Sequence, residues 1–147
     1  MKWNWILIGL VAITVLFSGC TDSTQDADFS QMVTSVAEDF KDQKELIIKP
    51  YSGLTPDQLR QYRSAAESAI AAAESMTLSD KSSKARGIFI EGMNATITAV
   101  DTLEQEGKLD GSDEKVTTES VNVYFIRTQT KIDDTCDLIG IEREKTF

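Results

Sequence analysis

The stretch Ser112-Asp113-Glu114-Lys115-Val116-Thr117-Thr118-Glu119-Ser120-Val121-Asn122-Val123-Tyr124-Phe125-Ile126-Arg127-Thr128-Gln129-Thr130-Lys131-Ile132-Asp133-Asp134-Thr135-Cys136-Asp137-Leu138-Ile139 decides the fold. Val116, Ser120, Val121, Tyr124, Thr128, Ile132, Thr135, Leu138 and Ile139 recur at the spacing of one helical face. Against this stands Val121-Asn122-Val123-Tyr124-Phe125-Ile126, whose β-branched and aromatic side chains suit a strand. Length and the absence of Gly or Pro favour a helix, running to about Glu144. Ser112 would cap it, with Asp113 and Glu114 in the first turn, where the helix dipole favours acids. Lys131 falls on the inner face and must lead its amine out to water along its apolar stem. With this stretch helical, the chain reads as all-α. With it extended, the chain becomes an α+β fold with a hairpin from residues 86–100 and 116–132.

The segments upstream favour the helical solution. Gly107-Lys108-Leu109-Asp110-Gly111 is a turn. Before it, Ala85, Ile88, Phe89, Met93, Thr96, Ile97, Val100 and Leu103 mark a helix from Ser79-Asp80 to Glu106. Gly87 and Gly92 weaken that helix by about 1 kcal/mol each relative to Ala, and mark a bend or a tight contact. Thr55-Pro56-Asp57-Gln58 is a capping-box start with Pro at the first helical position. The helix it opens buries Leu59, Tyr62, Ala66, Ala69, Ile70, Ala73 and Met76, and its small side chains allow close helix packing. Lys49-Pro50-Tyr51-Ser52-Gly53 breaks the chain before it. A first helix spans Ala27 to Ile48 on the face Phe29, Met32, Val33, Val36, Phe40 and Ile47. Tyr51 is expected to pack over the bundle end, with an exposed aromatic anchor as the alternative. Four amphipathic helices with short connections predict an antiparallel four-helix bundle over residues 28–147.

The N-terminus has a different character. Lys2 precedes the apolar run Ile6 to Phe17, about twelve residues, which matches a secretory h-region. It is shorter than the ~20 apolar residues a transmembrane helix requires. Small Ser18 and Gly19 then lead to Cys20. Leu16-Phe17-Ser18-Gly19-Cys20 resembles the lipobox of prokaryotic lipoproteins, with Phe17 where an aliphatic residue is usual. The resemblance covers roughly residues 1–23. It implies removal of a signal peptide, 1–19, and lipidation of Cys20, followed by a short polar tether over 20–27. It implies a lipid-anchored protein on the extracytoplasmic face of a cell membrane or outer membrane. An ordinary secretory signal, or an uncleaved anchor, would also place the remainder outside the cytoplasm.

Cleavage before Cys20 leaves 128 residues, enough for one domain with a core of its own. Loss of Lys2, the one charged residue of 1–19, takes the net charge from −9 to −10. Such a surface repels nucleic acid and anionic headgroups, so the expected attachment to the membrane is the lipid itself. The chain has no histidine, which removes Ser-His-Asp, Cys-His and His-ligated zinc chemistry. No Gly-rich phosphate loop is present. Asp110-Gly111-Ser112-Asp113-Glu114 fails as a calcium loop, because the places that need Gly and an acid hold Lys115 and Val121.

Four candidate positions remain. Cys136 reads as a small buried apolar residue. Asp133 and Asp137, four apart with Asp134 and Glu142 nearby, read as a solvated acidic face, with cation binding or paired-carboxylate catalysis as alternatives. Asn94-Ala95-Thr96 is a glycosylation sequon on the outer face of a helix. No catalytic residue and no cofactor is expected. The sequence therefore points to a non-enzymatic interaction or accessory module, with a protein partner at the cell envelope. The alternatives are a small-ligand-binding bundle, with a cavity lined by Tyr62, Phe89, Met93 and Tyr124, and a carboxylate-dependent hydrolase.

Overall fold

The computed structural model of the chain describes residues 24–111 and 114–143. The signal peptide, Cys20, most of the tether, Ser112, Asp113 and Glu144 lie outside the described residues. Within them the fold is all-α and contains no strand. The helices are α1 (Asp26–Asp39), α2 (Gln43–Ile48), α3 (Pro56–Ser75), α4 (Asp80–Gln105) and α5 (Asn122–Ile139). The α+β alternative does not form. Residues 86–100 lie inside α4, and the β-branched stretch from Val121 leads into α5.

Two expected helices are corrected. The first is not continuous from Ala27 to Ile48. It stops at Asp39, and Phe40–Asp42 make a tight turn in which the amides of Lys41, Gln43, Lys44 and Glu45 bond three residues back. The turn rotates the following face. Gln43 and Leu46 become buried, Ile47 only partly so, and Ile48 turns outward. The helix expected from Ser112 starts ten residues late, at Asn122. The reason is competition for the backbone. Val116 exchanges two hydrogen bonds with Leu54 (3.1 and 2.7 Å), and the Thr118 amide donates to the Pro50 carbonyl at 3.1 Å. A segment committed to those partners cannot close its own helical turns.

The other helix ends follow the sequence. Thr55 and Gln58 form the capping box at the start of α3, with Pro56 at its first position. Ser79 caps α4. At the far end of α4, Gly107 adopts φ 69°. Its amide bonds to the Glu104 carbonyl, and that of Lys108 to the Leu103 carbonyl (2.9 and 3.0 Å). This is a Schellman closure, which satisfies carbonyls the helix leaves open. Arg86 does the same for α3, donating to the carbonyls of Ala73 and Met76.

α4 is the central element and packs most extensively on α5 and α3, while α2 lies against α5. The start of α1 is tied to the α3–α4 turn. Gln25 and Thr77 bond reciprocally, and the Asp26 carboxylate accepts from the Ser79 amide and hydroxyl. Among the described residues, the buried apolar side chains form two clusters rather than one. The first holds Phe29, Phe40, Phe89, Met93, Ile132 and Cys136 with the small residues Ala66, Ala69 and Ala73 of α3. The second, nearer the chain's α2 and Val116 end, holds Leu46, Leu59, Val100, Leu103, Leu109, Val121 and Phe125.

Candidate functional site

A polar layer separates the two apolar clusters, and each contributing segment places its polar residue between them. Along α1 and α2, Gln43 lies between Phe40 of the first cluster and Leu46 of the second. On α4, Thr96 lies between Met93 and Ala99. On α5, Thr128 and Gln129 lie between Phe125 and Ile132. All four side chains are fully buried. The Thr96 and Thr128 hydroxyls stand 2.9 Å apart, and Thr128 Oγ1 also reaches the carbonyls of Gly92 and Tyr124 at 3.0 Å. Gln43 Nε2 donates to Thr96 Oγ1 at 3.4 Å. Gln129 Nε2 donates to the Phe40 carbonyl at 2.9 Å and to Gln43 Oε1 at 3.4 Å. Gln129 Oε1 is buried with no protein donor. Burying polar groups is unfavourable unless they are bonded, so such a layer fixes which residues meet while giving up part of the apolar stabilisation.

A second feature lies on the surface. Among the described residues, the large apolar side chains left exposed are Ile48 (75%), Tyr51 (70%), Val123 (59%) and Ile126 (37%). They come from the end of α2, the turn Pro50–Ser52 and the first turns of α5. Hydrogen bonds draw these segments together. Asn122 Nδ2 donates to the Ile47 carbonyl at 3.4 Å, Thr118 N to that of Pro50, and the Tyr51 hydroxyl to Glu119 Oε1 at 2.8 Å. The Glu119 carboxylate raises the Tyr51 hydroxyl above its ordinary pKa. Tyr51 does not pack over the bundle end as expected. Its ring stands in solvent, and its hydroxyl is bonded to Glu119.

The sequence-stated candidates do not assemble into a catalytic or ligand site. Phe89 and Met93 are fully buried in the first cluster, where Phe89 meets the Phe29 ring edge-on at 6.1 Å. Tyr62 packs against Phe40 in that cluster, its ring centroid 5.3 Å away, whereas Tyr124 packs against the second cluster. The four positions therefore line no common space. Asp133 faces Arg143, Oδ1 to Nε 3.2 Å, both largely buried, while Asp134, Asp137 and Glu142 are exposed. Among the described residues no three His, Cys, Asp or Glu side chains are grouped to hold a metal ion. Cys136 is buried in the first cluster, and burial pushes its thiol above the ordinary range while the Arg143 guanidinium works the other way. Asn94 is exposed at mid-α4, but Thr96 of its sequon is buried in the polar layer. Cys20 lies outside the described residues. Among the described residues no helix is long and apolar enough to cross a membrane.

Gln43, Gln129 and Asn122 were not singled out by the sequence, yet a signal existed. The first apolar stripe runs Phe29, Met32, Val33, Val36, Phe40, and its next inward place is filled by Gln43. Gln129 likewise follows Phe125 by four and precedes Ile132 by three. A polar residue where a stripe demands an apolar one is the mark of a buried polar group. No protein-family model, curated protein or solved structure matches the chain.

Proposed function

We propose that this protein is a lipid-anchored extracytoplasmic lipoprotein whose helical domain is a non-enzymatic interaction module. The observation that supports the module is the surface formed by Ile48, Tyr51, Val123 and Ile126. Scattered apolar side chains on a surface are ordinary, but a group gathered on adjoining segments marks an interaction site. The surface lies by the second apolar cluster, whereas Gln25, next to the start of the described residues, is bonded to Thr77 beside the first. A domain tethered through Cys20 would present the surface away from its point of attachment, to a protein partner at the cell envelope. In this reading α1, α3, α4 and α5 act as an antiparallel four-helix bundle, and α2 is an addition that carries part of the docking surface.

The test uses the full chain in its native host. A photo-crosslinking residue is placed at Val123, and in a separate variant at exposed Glu74 beside the α3–α4 turn. A discrete adduct from Val123, absent from Glu74 and abolished by Ile48→Asp, is the expected result. No adduct from Val123, or the same adducts from both positions, would remove the interaction module. Intact mass of the same preparation reads the anchor separately: loss of residues 1–19 with an acyl addition on Cys20 supports it, and a full-length mass overturns it.

A further inference from the structure

We infer that α2 is a strap that α5 clips down at both ends, and that it opens from the domain as a unit while the rest of the fold stays closed. α2 has six residues, too few for a helix that stands without tertiary support. The α-helical ladder is interrupted on both sides of it: by the Phe40–Asp42 turn, bonded three residues back, before it, and by Lys49 (φ −130°, ψ 66°) after it. Leu46 is the one apolar side chain it buries fully in the second cluster, with Ile47 partly buried against the same cluster, and the other side chain it buries is the polar Gln43.

The two clips are chemically alike. Gln129 Nε2 donates to the Phe40 carbonyl just before α2, and Asn122 Nδ2 donates to the Ile47 carbonyl near its end. Residues 122 and 129 are two helical turns apart on α5, so both amides rise from one face. In both, the amide oxygen is buried without a protein donor. Closing the strap thus strips water from two amide oxygens and gives them no protein donor in return. Three of the polar bonds at this seam, Gln43 to Thr96, Gln129 to Gln43 and Asn122 to Ile47, are 3.4 Å long, beyond the usual range for an N–H donor. Opening returns these groups to water, while α3, α4 and the first apolar cluster keep their contacts. The hinge on the far side is fixed by the Pro50–Thr118 and Leu54–Val116 bonds, so the moving segment is residues 41–49. Local opening of this kind belongs to elements with few buried apolar contacts. The strap does not depend on the identity of any partner, because it follows from how α2 is held.

Native-state hydrogen exchange on the full chain in detergent micelles tests it. The amides of Ile47, Ile48 and Lys49 should exchange about 100-fold faster than those of residues 93–100 in α4, with a rate that hardly responds to low urea. Gln129→Leu removes one clip. It should speed exchange at residues 44–49 by roughly a further tenfold and leave residues 93–100 close to their original protection. Exchange at 47–49 that matches α4 in rate and urea dependence would overturn the strap. An equal acceleration of both regions in Gln129→Leu would overturn the clip, since the change would then act on the whole fold.

Discussion

A β-carbon built on Gly92 would stand 2.8 Å from Lys131 Cβ, closer than two such carbons approach in folded proteins. α4 and α5 approach closely here. The Thr128 hydroxyl reaches the Gly92 carbonyl across the gap, and Lys131 passes outward over it to pair with Glu91 at 2.6 Å. Gly92→Ala must push α5 outward, because the colliding atom is the base of a side chain and not its flexible end. Overpacking of this kind costs about 1–3 kcal/mol and outweighs the gain in helix propensity. Gly87, with nothing within 4 Å of its built Cβ, is the internal comparison. There the same substitution should stabilise by up to ~1 kcal/mol. Urea unfolding of the two variants is expected to move the midpoint in opposite directions.

How much of this was legible in the sequence depended on whether a residue's fate was settled locally. The Thr55–Gln58 box, the Ser79 cap and the Gly107 turn are short-range devices, and each stands where the residues place it. The apolar faces of α3 and α4 were legible for the same reason, since periodicity needs no knowledge of the partner. The late start of α5 was not legible. Residues 114–118 carry no signal that Val116 and Thr118 will bond to a backbone some sixty residues upstream. The break at Phe40 was missed because neither Gly nor Pro marks it. At that break the Phe40 carbonyl, which accepts from the Gln43 amide within the turn, also accepts from Gln129 of α5, a partner the local sequence does not announce. Of the exposed apolar side chains, Tyr51 alone drew attention, with its exposed state as the alternative. Ile48 turns outward only because that break rotates α2.

The polar layer should show coupled energetics. Thr96→Val takes one partner from the Thr128 hydroxyl and the Oγ1 acceptor from Gln43, and Thr128→Val takes one partner from the Thr96 hydroxyl, each at a cost of about 1–3 kcal/mol. Changing both to Val replaces the pair by two apolar groups of similar shape. The double variant should therefore lose clearly less than the sum of the singles, and a double-mutant cycle by chemical denaturation measures the difference. Strict additivity would mean that the 2.9 Å contact carries no coupling.

Asp26 links stability to acid. Its carboxylate accepts from the Ser79 hydroxyl and amide, which holds its pKa below the ordinary value of 3.8. For a group depressed on folding, the stabilisation is fully present above the unfolded pKa and is lost as pH falls through the folded one. Asp26→Asn should consequently destabilise the protein at pH 6. The gap between variant and parent should close as the pH is taken down below 3.8. Thermal melts across that range check the sign. A gap that widens on acidification would mean that Asp26 is not the group tying α1 to the α3–α4 turn.

Cys136 gives a direct reading of how firmly α5 is seated. The thiol is fully buried beside Ile132, and burial raises its pKa despite the nearby Arg143 guanidinium. Low accessibility and a small thiolate fraction both slow alkylation. In a Cys20→Ala variant Cys136 is the sole thiol, so labelling reports on it alone. At pH 8 the folded protein should resist iodoacetamide, and the rate should rise in step with the unfolded fraction as urea is added. Cys136→Ala and Cys136→Ser separate the two parts of its role. Both remove the sulfur's apolar contacts in the first cluster, and Ser also keeps a polar group beside Arg143, whose guanidinium can donate to it. Both should be destabilising in urea unfolding, and Ser should not exceed Ala by the full cost of an unbonded hydroxyl, about 1–3 kcal/mol. If Ser were instead tolerated and native labelling were fast, the thiol would be open to solvent and α5 would be loosely held at its C-terminal half. The late position of Cys136 on α5 makes the result independent of the α2 strap, which packs on the opposite half of the same helix.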